Sequence, residues 1–113
     1  MKDLEKQTYD FAVAGISLIK SLEKEYPELV NSELKKNIGA VSIKYIDAIN
    51  AQENEDFANN LRACHSSAKK SIELFNALGE IGNINLNKQK IKLIKDSKII
   101  IEKLDTVISK LIY

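Results

Sequence analysis

From Phe57 to Phe75 the apolar residues Phe57, Leu61, Cys64, Ala68, Ile72 and Phe75 recur at steps of three and four, which is the period of an α-helix with one stripe to bury. At about 100° per residue these six share a narrow arc, and Asn59, Arg62, Lys69, Lys70 and Glu73 lie away from its centre. Upstream, Leu4, Phe11, Gly15, Leu18, Ile19 and Leu22 define a first helical face that Pro27 ends, because a proline drives the residue before it out of the helical region. Leu34, Ile38, Val41, Tyr45, Ala48 and Ile49 form a second face, with Asn31 or Ser32 as its cap. A broad apolar arc from Leu93 and Ile94 through Ile100, Ile101, Leu104, Val107, Ile108 and Leu111 to Ile112 forms the last.

The boundaries follow from cap chemistry. Asn54 is the expected cap of the third helix, with Glu55 and Asp56 in its first turn, and Gly79 or Gly82 closes it. Asn87 is the expected cap of the fourth, with Leu86 and Ile91 as a hydrophobic staple. The pattern therefore predicts an all-α, antiparallel up-down-up-down four-helix bundle in one domain, 1–113, with helices at about 4–26, 32–51, 54–80 and 87–112. Short connections make antiparallel neighbours the simplest topology.

A second set of apolar residues falls outside the core arcs. On the first helix these are Tyr9, Ala12, Val13 and Ile16, and on the second Gly39, Ile43 and Ile46. A helix in a monomeric bundle needs only one apolar face, so two further strips on consecutive helices predict self-association.

Composition sharpens this picture only in places. With 113 residues, 44% hydrophobic and 29% charged, the chain suits one soluble domain with a modest core. No apolar run is long enough to span a bilayer, and the opening MKDLEKQ lacks the apolar core of a signal peptide, so a cytoplasmic protein without a membrane partner is expected. The single cysteine, Cys64, lies within the buried stripe and reads as a small hydrophobe.

Charge is unevenly distributed although the net value is only +1. Residues 87–113 hold seven lysines against three acids. Lys88, Lys92, Lys95, Lys103 and Lys110 share an arc of about 80° opposite the apolar face, a row that could lie along a phosphate backbone of RNA or DNA. A lysine-rich outer face is also what a soluble helix commonly shows. One arginine in the whole chain and no aromatic among these lysines give little for bidentate phosphate contacts or base stacking.

Catalytic patterns are scarce. Arg62 and His65 stand three residues apart, shorter than the Arg–His spacing of helical ribonucleases. HExxH, CxxC, the Glu-xx-His pair of di-iron bundles, GxxxxGK[ST], GxGxxG and GxSxG are all missing from the sequence, so no metal, cofactor or catalytic residue is expected.

Nearly the whole chain resembles a bacterial group of four-helix bundle proteins that includes the 23S rRNA intervening-sequence protein and the accessory protein of diversity-generating retroelements. The resemblance rests on Tyr26-Pro27-Glu28 closing helix 1, on Leu34 and Ile38 leading into Ile46-Asp47-Ala48-Ile49-Asn50-Ala51, and on Phe57, Leu61 and Ser66-Ser67-Ala68. The Gly82-Asn83-Ile84 turn and the apolar last helix are similar too. Where the intervening-sequence branch ends helix 2 in Asn-Ile-Ala-Glu-Gly, this chain reads Ala48-Ile49-Asn50-Ala51-Gln52. The resemblance implies a homopentamer of antiparallel four-helix protomers without enzymatic activity. In the retroelement branch it further implies binding to nucleic acid and to a reverse transcriptase. The expectation is thus a non-enzymatic oligomeric scaffold that contacts nucleic acid or a nucleoprotein through the lysine face, with a protein–protein interaction module as the alternative.

Overall fold

The computed structural model describes residues 2–112; Met1 and Tyr113, the ends of the expected domain, lie outside the described residues. Among the described residues four helices follow one another: α1 (Lys2–Glu25), α2 (Ser32–Ile49), α3 (Asn54–Ala77) and α4 (Ile84–Ile108), with a 3₁₀ turn at Pro27–Leu29. Each helix packs on its two neighbours in a closed ring, α1 on α2, α2 on α3, α3 on α4 and α4 on α1, so α1 stands diagonally across from α3. The bundle is about twice as long as it is wide, 45 × 21 × 21 Å. This is the expected all-α antiparallel architecture.

The core arcs turn inward as their periodicity requires. Leu4, Phe11, Leu18, Ile19 and Leu22 of α1 meet Leu34, Ile38, Val41 and Tyr45 of α2, Leu61, Cys64, Ala68 and Phe75 of α3, and Leu93, Ile100 and Leu104 of α4 in one buried cluster. Two small polar side chains cross this interior. Cys64 Sγ donates to the Val41 carbonyl at 3.1 Å, joining α3 to α2, and Ser97 Oγ donates to the Ala68 carbonyl at 2.9 Å, joining α4 to α3. Gly15 lets α1 approach α2, since a Cβ there would stand 2.6 Å from Ile38 Cγ2.

Several boundaries differ from the expected ones. Asn31 does cap α2, its side chain accepting from Leu34 N at 2.9 Å. The N-cap of α3 is Glu53 and offers no side-chain hydrogen bond, so Asn54 is the first helical residue and not the cap. α4 begins three residues early, because Asn83 Oδ1 accepts from Leu86 N while Asn87 Oδ1 is engaged with Ile81 N at 2.9 Å. With that start, Leu86 is buried and Ile91 is exposed, so the expected staple does not form. Among the described residues Gly79 alone adopts a positive φ, +68°, just past the end of α3. α4 ends at Ile108, leaving Ile112 exposed beyond it, and Ile49 at the end of α2 is also exposed.

Candidate functional site

The four core arcs fix what each helix can present outside. Once Phe11, Leu18 and Leu22 face inward, Tyr9, Val13 and Ile16 must face out, and all three are exposed, Tyr9 by 60%. On the adjacent α2, Ile43 (58%) and Ile46 are likewise exposed. Ala12 departs from the expected strip: only 7% exposed, it lies about 20° round the helix from Ile19 and turns into the protein. Gly39 is half-buried, and a Cβ on it would meet nothing within 4 Å. The exposed apolar side chains thus lie on two adjacent helices, and Tyr9 and Ile46 line one recess between them.

The lysine row of α4 is less uniform than its wheel position suggests. Lys88, Lys92, Lys95 and Lys110 are exposed, and Lys103 is half-buried. Lys92 pairs with Asp96 at 2.8 Å, and Lys103 approaches Asp3 of α1 at 3.9 Å. Among the described residues no ion pair engages Lys88, Lys95, Lys98 or Lys110. Lys98, outside the arc of five, is exposed beside the row, its wheel angle only about 60° from that of Lys95. Lys90 is the opposite case. It is buried, and its ammonium donates to the Gly79 carbonyl at the end of α3, where a helix carries partial negative charge.

The groups with chemical potential are constrained. His65 Nε2 sits 2.6 Å from Asp105 Oδ1, an inter-helical contact from α3 to α4, with His65 mostly enclosed and Asp105 open to solvent. Arg62 lies one turn earlier on α3 and is half-buried. Burial pushes the Cys64 thiol up to about 12, so it stays protonated and poorly nucleophilic. Among the described residues no group of three or more His, Cys, Asp or Glu side chains is placed to hold a metal ion, and no helix is long and apolar enough to cross a membrane.

No protein-family profile and no curated protein matches the sequence. The fold is similar to the crystal structure of a protein of unknown function from the S23 ribosomal protein family of Bacteroides thetaiotaomicron VPI-5482, with a TM-score of 0.81 over 95% of this chain and 99% of that one, at 20% sequence identity. At that identity the likeness establishes a shared four-helix fold.

Proposed function

We propose that the protein is a non-enzymatic, self-associating helical scaffold whose assembled form presents the α4 lysines to a nucleic acid or nucleoprotein partner. One observation carries the reading: Tyr9, Val13, Ile16, Ile43 and Ile46 stand exposed together on adjacent helices of a protein whose own core is already filled by other residues. Tyr9 and Ile46 line one recess between α1 and α2, and exposed apolar side chains gathered in this way are stabilised by a partner surface. Kinship with the 23S rRNA intervening-sequence and retroelement accessory proteins is part of this proposal; it is supported by the residues of the Tyr26-Pro27-Glu28 turn and by the fold shared with the S23-family protein. On that kinship the assembly is a homopentamer, and a reverse transcriptase is one candidate partner.

Light scattering coupled to size exclusion tests the self-association. A multiple of the 12.7 kDa protomer is expected at micromolar concentration, and a clean monomer overturns the reading. Ile16→Asp with Ile43→Asp should dissociate the assembly while the helical circular dichroism persists. For nucleic acid, affinity for RNA and DNA of random sequence should fall steeply with salt, since lysine–phosphate contacts release counterions. Binding absent at low salt overturns that part. Wild type and His65→Ala should both leave RNA uncut.

A protein–protein interaction module is the second reading, favoured by the ion pairs that already occupy Lys92 and Lys103. Weak salt dependence of the partner complex distinguishes it.

A further inference from the structure

The outer arcs of α3 and α4 stand on neighbouring corners of the bundle and are built differently. α3 turns Asn59, Ser66, Lys70 and Glu73 to solvent, Lys70 pairs with Glu73 at 3.4 Å, and none of the described exposed large hydrophobic residues belongs to it. That is an ordinary wet face. On α4 the side opposite the buried Leu86, Leu93 and Ile100 carries Ile84, 70% exposed, and Ile91 and Ile99, each 43% exposed. Lys88 and Lys95 stand between them, so that Ile84, Lys88, Ile91, Lys95 and Ile99 follow one another at steps of three and four within about 80° of arc. The file is roughly 22 Å long. Lys98 lies alongside, about 20° beyond Ile91, and Ile99 closes the file at its edge, where it also lines a recess against α1. Asp96 is the one acid between Ile84 and Ile99, and it stands toward α1, paired with Lys92 at 2.8 Å. Among the described residues the ion pairs of the α4 lysines engage Lys92 and Lys103 and leave Lys88, Lys95 and Lys98 without one.

We infer that this file is a docking seam for an acidic amphipathic helix of a partner protein, an inference that takes up the protein-partner reading above and names the chemistry of the partner. Lysines alone would suit a phosphate backbone, but the isoleucines set among them would stay in water there, and isoleucine has no π-face on which a base could stack. A helix satisfies both kinds of residue. Its own apolar positions recur at the same steps of three and four, so they meet Ile84 and Ile91 in turn, and glutamates flanking that stripe reach Lys88, Lys95 and Lys98. Apolar contact supplies the affinity, while the flanking charges fix orientation and exclude basic partners. The same charges exclude a second α4 as the occupant, because Lys88 and Lys95 would then oppose their own kind. About fifteen residues of partner helix, roughly four turns, cover the whole file.

Fluorescence anisotropy with a labelled synthetic helix of about three heptads, leucine at a and d and glutamate at e and g, tests this on the full chain. The acidic helix should bind. A peptide of the same composition with its leucines out of helical register, and one with lysine in place of glutamate, should not. Ile91→Ser should weaken the complex about tenfold, since a half-exposed isoleucine that becomes covered gives up roughly half the value of full burial. Lys95→Ala with Lys98→Ala should weaken it and flatten its salt dependence. In ¹⁵N NMR of the wild type, the peptide should shift the amides of Ile84, Lys88, Ile91 and Lys95, a readout that stands even if Ile91→Ser unfolds. No binding, equal binding of the out-of-register peptide, or shifts confined to other helices overturns the inference. RNA of random sequence or phosphatidylserine vesicles held more tightly than the acidic helix, and indifferent to Ile91→Ser, overturn it as well. The size of the wild-type assembly does not enter, so failure here and failure of self-association are told apart.

Discussion

Gly15 and Gly39 offer opposite answers to the same substitution, and the packing sets both signs. A Cβ on Gly15 would lie 2.6 Å from Ile38 Cγ2 and 3.4 Å from Ile38 Cδ1. Ile38 is fully buried and has no solvent to retreat into. At so close an approach, forcing one carbon into such a seam costs about 2–3 kcal/mol, the upper part of the usual range, and replacing a mid-helix glycine by alanine returns about 0.5–1 kcal/mol. Gly15→Ala should therefore lose about 1–2 kcal/mol, a fall in Tm of roughly 4–8 °C for a domain of this size. Gly39→Ala should gain about 0.5–1 kcal/mol, because its Cβ meets nothing within 4 Å. Urea unfolding followed by circular dichroism, at one fixed protomer concentration, reads both as shifts of the midpoint at unchanged slope. In an Ile38→Ala background the cost of Gly15→Ala should shrink by about 1 kcal/mol, the coupling expected of touching side chains. A Gly15→Ala protein as stable as wild type refutes the close approach of α1 and α2.

Three further outcomes are expected. Cys64 should resist a thiol reagent in the folded protein and react fully in denaturant. Its raised folded value also has a pH signature: stability is fully present below the ordinary cysteine range near 9 and declines as pH rises toward about 12, by at most about 1.4 kcal/mol per pH unit, because the unfolded chain gives up that proton first. Cys64→Ala should lack this component when the two alkaline unfolding curves are compared. Asn31→Ala and Asn83→Ala should each cost about 1 kcal/mol in urea unfolding, as removal of a helix cap does. Lys90→Met should cost about 1–2 kcal/mol in the same assay through the lost bond to the Gly79 carbonyl, while Lys88→Met should change little.

The helices were legible because apolar spacing and Pro27 state them twice, once as period and once as interruption. The start of α4 was not. Asn83, Asn85 and Asn87 can all act as caps, and the choice among them depends on where Ile81 N–H finds an acceptor, a tertiary matter. The outer strip on α1 and α2 could be read from wheel angles except at its edge, where Ala12 lies nearer in angle to the buried Ile19 than to the exposed Ile16. Among the lysines, periodicity gives direction but not engagement. It placed Lys92 and Lys103 in the row without showing Asp96 and Asp3 beside them, and it gave no reason to single out Lys90, whose ammonium is drawn inward by the carbonyl of a different helix.

The Cys64–Val41 and Ser97–Ala68 bonds bear on how the rods are aligned lengthwise. A filling of leucine and isoleucine tolerates a helix sliding by one turn, about 5.4 Å, because one aliphatic contact substitutes for another. A hydroxyl does not. Slipping α4 along α3 would strand the Ser97 Oγ–H opposite hydrocarbon, at about 1–3 kcal/mol, and a slip of α2 would take the Val41 carbonyl from the thiol. These two polar stitches set the vernier of an otherwise permissive interior, so that the surface features of α2 and α4 stand at one height relative to α3, and so to one another, in every molecule.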